Sequence, residues 1–279
     1  MHGKVHAPPS GSGSPSPRDA SLVRASAVRA SGVGVSVVLG LATLAVVAPM
    51  AAAAPPGRSP PAFVVAVDPG HGGSNLGAAG GTPAVPIFEK QITLELARRL
   101  RARLEQHPGL RVVLCRERDV LVPIRARARC VERAHASLFI SLHANASPPS
   151  VERGSRHGFE LYVLSPQEVE DDAIVAGQLA DDADAVWAAH EVHASAERAV
   201  LAARLIEARL KEALGARASR GIRQTGAALD VLRGKGAPGV LIEVGFIDDA
   251  DEGGRLASQA GQEAIATALA AAVLDLTRL

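Results

Sequence analysis

Four side chains in this 279-residue chain stand at strand ends, within an oily strand or at a helix start, where chemistry is first to be sought. His71 lies within Asp68-Pro69-Gly70-His71-Gly72-Gly73, whose glycines let the backbone turn tightly around one imidazole. His143 closes the apolar run Leu138-Phe139-Ile140-Ser141-Leu142 and precedes Ala144-Asn145. Glu243 interrupts the oily stretch from Val240 to Phe246, and Glu89 opens a helical pattern after a loop carrying Gly80, Gly81 and Pro83. A hydrolytic zinc centre commonly takes three protein ligands from histidine and carboxylate and keeps one position for water. Two histidines and a glutamate fit that rule, and a carboxylate left out of the ligand set can take the proton from the activated water. Each residue also has an explanation without chemistry. A lone histidine after a strand is commonly a hydrogen-bonded loop residue, the reading given to His107, His135 and His157, and Glu89 suits a helix N-terminus through the macrodipole. Compact metal motifs, such as two histidines on one helical turn, are absent, so spacing alone leaves both readings open.

The elements that must position these groups follow from periodicity. Phe63 to Val67 reads as a short buried strand. Ile92, Leu96, Leu100 and Leu104 repeat every fourth residue, which predicts a helix from about Glu89 that ends before Pro108 and Gly109. Strands are expected at Arg111 to Cys115, Leu138 to Leu142, Phe159 to Leu164, Leu229 to Leu232 and Val240 to Phe246. Helices are expected at Ile124 to Ala134, around Ile206, Leu210 and Leu214, and at the end with Ile265, Leu269, Val273 and Leu276 on the core face. Strands alternating with helices predict an α/β domain whose sheet has parallel neighbours. In such sheets ligands bind beyond the carboxyl ends of strands, where His71, His143 and Glu243 fall.

Composition bounds the setting. Residues 1–31 are rich in Pro, Ser and Gly and carry Lys4, Arg18, Arg24 and Arg29 against Asp19 alone. The uncharged run Val33 to Ala48 follows, then Pro49, Met50 and four alanines, a pattern that predicts a signal peptide over 1–54 and a Pro-rich linker over 55–61. The competing expectation is an uncleaved anchor; the predicted mature chain has no stable membrane insertion. Removing 1–54 removes four positive charges and one negative, so a whole-chain charge of +1 becomes −2. That excludes nucleic acid as an expected partner, and a solvated helix face accounts for Arg125, Arg127, Arg129 and Arg133. Two cysteines, Cys115 and Cys130, are too few for a disulfide framework, although export permits a bridge.

With these residues in view, the chain resembles the zinc-dependent N-acetylmuramoyl-L-alanine amidases of the amidase-3 type, which hydrolyse bacterial cell walls. The resemblance rests on five ordered blocks: Val67 to Gly73, Glu89-Lys90, Asp119 with Arg127, Phe139 to Asn145, and Val231-Leu232-Arg233 leading to Pro238 through Phe246. It covers about residues 62–279. It implies a single catalytic domain with a mixed, largely parallel sheet flanked by helices, zinc held by His71, Glu89 and His143, and Glu243 as the catalytic carboxylate. Peptidoglycan is the implied substrate and the periplasm or wall the implied location. Asn75, Cys115, Glu132 and Ser137 depart from the residues usual in the family, and none is an implied ligand.

The segment 167–195 interrupts the family pattern. No Lys or Arg occurs between Arg156 and Arg198, while acidic residues accumulate from Glu168 to Glu197. Related amidases can carry an inserted helix there that blocks the cleft until an activator protein moves it, and Ile174, Leu179, Val186 and Trp187 offer an apolar face for docking. The plainer expectation is a solvated acidic helix pair. Two rival functions stand beside the amidase: another zinc peptidase of the wall, and a metal-free wall-binding protein.

Overall fold

The computed structural model describes residues 63–82, 84–175, 182–224, 230–233 and 236–279, with the side chains of 172–191 left out. The predicted leader and linker lie outside the described residues, as do Leu179 and the side chains of Ile174, Val186 and Trp187.

Strand β1 (Phe63–Pro69) is followed by the hairpin β2 (Ala79–Thr82) and β3 (Val85–Phe88), and then by helix α1 (Glu89–Leu104). Next come β4 (Leu110–Leu114), α2 (Ile124–Ala134), β5 (Leu138–Asn145), β6 (Phe159–Val163), α3 (Pro166–Val175) and α4 (Asp182–Leu214). The chain closes with β7 (Ser219–Gln224), β8 (Gly239–Phe246), α5 (Ala250–Ala257) and α6 (Gln259–Leu276). The main sheet has the order β4-β1-β5-β8-β6-β7. Its first four strands run parallel, and β6 and β7 run the other way, joined to β8 by an antiparallel pairing. This is the mixed, largely parallel sheet that the resemblance implies.

Alternate strand residues go to opposite faces. Val65, Val67, Ile140, Leu142, Leu161, Ile242 and Val244 join one large core with Leu96 and Leu100 of α1, Ile206 and Leu210 of α4, and Ile265 and Leu269 of α6. Ala66, Phe139 and Leu241 point the other way, into a smaller cluster with Val131 of α2 and Leu232. By the same parity Asp68, Ser141, His143, Glu160, Tyr162 and Glu243 belong to this second, thinly covered face. The polar positions in the strands are therefore one side of the sheet read at a period of two.

The loop expected to carry Gly80 and Gly81 holds the paired strands β2 and β3, and other expectations change as well. Asp230 to Arg233 form a turn rather than the expected strand, with Leu229 outside the described residues. Leu232 is buried even so, which explains the apolar signal there. The edge strand β7, with exposed Arg223 and Gln224 and a left-handed Gly221, carries too little alternation to be read from sequence. The helix around Ile206 reaches back to Asp182, so the acidic segment and the core-forming helix share one element. Cys115 and Cys130 form a disulfide joining the end of β4 to α2.

Candidate metal centre

His71, Glu89 and His143 come together so that one ligand atom from each lies within 4.8 Å of the others. His71 stands just past β1, Glu89 is the first residue of α1, and His143 lies on β5 beside β1. Glu89 Oε1 lies 3.0 Å from His71 Nε2 and 2.9 Å from His143 Nδ1. The same oxygen accepts the Ala144 N–H at 2.9 Å, and Oε2 accepts the Ala78 N–H at 2.7 Å. Burial alone would raise the Glu89 carboxyl, but hydrogen bonds and charge from His143 and His71 hold it well below the usual carboxylate range. Burial pulls the His143 imidazole down, and the Glu89 hydrogen bond together with Glu243 and other carboxylates outweighs it and raises it.

Glycines shape the cradle. A Cβ on Gly70 would lie 2.4 Å from His143 Cε1, and one on Gly77 would lie 2.5 Å from Glu89 Oε2 and 2.7 Å from His71 Cδ2. The two imidazoles meet edge to face with centroids 4.9 Å apart.

Glu243 faces His143 across the β5–β8 pairing. Its Oε2 is buried and has no hydrogen-bond partner, and burial, reinforced by Glu89 and Glu160, pushes its carboxyl up to about 7 against the pull of His143 and His71. Glu160, opposite Glu243 on β6, differs sharply: it accepts from Asn145 Nδ2 (2.7 Å), Tyr162 OH (3.0 Å), Arg223 Nε (3.1 Å) and Arg220 Nε (3.3 Å). Of two neighbouring carboxylates, one is fully supplied with donors and the other is left able to exchange a proton. Both histidines, Glu89 and Glu243 line a cleft of about 560 Å3, bordered by Tyr162 and Val231.

Two buried arginines hold the His71 loop from beneath. Arg127 pairs with Asp68 and donates to the carbonyls of Pro69 (2.9 Å) and His71 (2.7 Å). Arg116 donates to the carbonyls of Pro69, Gly70 and Lys90, each at 2.8 Å. Lys90 and Asp119 clamp Gly73, through its carbonyl (2.8 Å) and its N–H (2.7 Å) respectively. The solvated-face reading is thus wrong for Arg127, which turns inward from α2 because Asp68 and three carbonyls (those of Pro69, His71 and Val122) need its donors. Arg116 and Glu160 carried no signal in the sequence beyond being charges next to strands, and Asp68, expected in the loop after Val67, is instead a buried residue of β1.

The structure brings His71, Glu89 and His143 together, with Glu243 lining the same cleft. Residues 65–275 match the N-acetylmuramoyl-L-alanine amidase family of the amidase-3 type. AmiA of Escherichia coli, an N-acetylmuramoyl-L-alanine amidase, is 30% identical over 76% of this chain and 75% of its own. The probable amidase AmiB of Haemophilus influenzae is 29% identical over 73% of this chain, which spans about 50% of that relative's length. Among solved structures, the amidase AmiC2 of Nostoc punctiforme superimposes with a TM-score of 0.60 at 27% identity, covering 79% of this chain and 100% of that one. The chain belongs to the N-acetylmuramoyl-L-alanine amidase family.

Proposed function

We propose that this chain is a zinc-dependent hydrolase of peptidoglycan that cleaves the amide between the lactyl group of N-acetylmuramic acid and the L-alanine of the stem peptide. The observation that carries the reading is the convergence of His71, Glu89 and His143 beside a buried Glu243 that takes no part in the trio. Two imidazoles and one carboxylate are a donor set suited to catalytic zinc. When bound, zinc would make a water acidic near neutrality and supply positive charge where the amide carbonyl becomes an oxyanion.

The protein's own residues do the rest. Glu89 stays ionised and is held in place by the Ala78 and Ala144 N–H groups, so it presents a fixed charge. Glu243, with its affinity for protons set near neutral pH, can accept one from water and return it to the departing amine. The well-supplied Glu160 keeps Tyr162 and Asn145 in place at the cleft wall. Glu243→Gln is expected to keep the parent's zinc content while hydrolysis of purified peptidoglycan falls about 100-fold or more. His71→Ala and His143→Ala should lose both metal and activity. Elemental analysis paired with a muropeptide digest checks this, and an active Glu243→Gln protein would remove Glu243 from the mechanism.

The apolar run ahead of the linker supports export to the periplasm or wall as part of the same proposal. No helix among the described residues is long and apolar enough to cross a membrane. Control by an activator through the acidic segment is supported by α3 itself. Its Glu168 pairs with Arg233 at 3.2 Å, and Val169 packs with Val231 and Leu232, so α3 rests on the turn that borders the cleft.

A further inference from the structure

Asn75 follows His71 by four residues, and the turn between them is closed by backbone bonds from Gly72 N–H to Asn75 O (2.9 Å) and from Asn75 N–H to Gly72 O (3.1 Å). The Asn75 side chain then folds back. Its Oδ1 lies 2.9 Å from His71 Nδ1 and 3.2 Å from the Gly77 nitrogen. The Gly77 N–H can only donate, so the atom between the two groups is the amide oxygen and not the amide nitrogen. An oxygen without a proton requires His71 Nδ1 to carry one. In this arrangement Nδ1 donates to Asn75, and the nitrogen turned toward Glu89, at 3.0 Å, is Nε2.

We propose that Asn75 is the positioning residue of the metal centre: its carbonyl fixes the tautomer and tilt of His71 so that Nε2 is presented to the cation, and it does so without adding charge. The proposal rests on the zinc reading given above. A carboxylate at this place would accept the same hydrogen bond and make the ligand more basic, and an apolar side chain would leave the ring free to turn and to move its proton to Nε2. Nothing else among the described residues hydrogen-bonds His71 Nδ1. Gly77 limits the ring's space from one side but supplies no acceptor to it.

The test uses zinc alone as the probe, in competition with a chromogenic chelator, on the parent, His71→Ala, Asn75→Leu, Asn75→Ala and Asn75→Asp. Imidazole nitrogen-15 shifts of His71 report the tautomer, and thermal melts of the metal-free proteins report folding. The expected result is that Asn75→Leu and Asn75→Ala weaken zinc binding about 10- to 100-fold while metal-free melting stays at the parent value. Asn75→Asp should bind at least as tightly as the parent. The Nδ1–H signature should persist in the parent and in Asn75→Asp and be lost in the other two. Should Asn75→Leu melt early, Asn75→Ala carries the comparison. If the parent binds zinc, His71→Ala does not, and the Leu and Ala variants match the parent in affinity and tautomer, this proposal falls and the zinc reading survives. If the parent and His71→Ala bind zinc alike, both fall together.

Discussion

At the scale of single residues, the site sets groups of the same type to different tasks by the donors it gives them. Glu89, Glu160 and Glu243 are all buried or nearly so. Glu89 receives two backbone N–H groups and two imidazoles, Glu160 receives four side-chain donors, and Glu243 Oε2 receives none. An ionised carboxylate without donors costs stability, and the sign can be worked out. The Glu243 carboxyl rises from 4.5 to about 7 on folding, so the folded state holds the proton more tightly and the protein loses stability as pH climbs from 4.5 through 7. In metal-free protein Glu243→Gln should therefore gain about 2–4 kcal/mol over the parent at pH 8 and little of that difference at pH 5. Urea unfolding at the two pH values checks it, and an equal effect at both would mean that the charge is not the source.

At the scale of elements, much was legible because burial imposes a period. Helix α1 was readable from its four-residue repeat, and its start at Glu89 is where the structure begins it. In β1, β5 and β8 the residues Asp68, Ser141, His143 and Glu243 alternate with Val67, Leu142, Ile242 and Val244, but Ala66, Phe139 and Leu241 on the same face as the polar groups make each strand read as an apolar run, so the two faces emerge only in the folded sheet. Nor did the sequence carry the support. Arg127 sits in a helical surface pattern and Arg116 just past a strand, and only the path of the His71 loop makes them interior residues. The turn at Asp230 to Arg233 was mistaken for a strand because one buried leucine imitates a strand position. The Cys115–Cys130 bridge ties β4 to α2 around the segment bearing Arg116 and Asp119, a closure of 15 residues. Replacing both cysteines with alanine should cost about 3 kcal/mol. Thermal melts of the double variant, and of the parent with and without reductant, measure it; an unchanged melting temperature would show that the bridge contributes nothing.

At the scale of the whole molecule, one face of the sheet is sealed by α1, α4 and α6, and chemistry is possible on the other because α2 covers it only in part. That open face is also where control can act, since α3 touches the Val231–Arg233 turn at the cleft border. Deleting Glu168 to Val192 should raise basal hydrolysis of purified walls if the acidic segment restrains the enzyme, and unchanged turnover in the folded deletion would end that idea. Which bond is cut decides the activity. Purified peptidoglycan digested with the zinc-loaded protein should yield stem peptides whose new amino terminus is L-alanine, with the glycan strands intact and no such terminus from Glu243→Gln. A different new terminus, or the same release from Glu243→Gln, would contradict the proposed reaction.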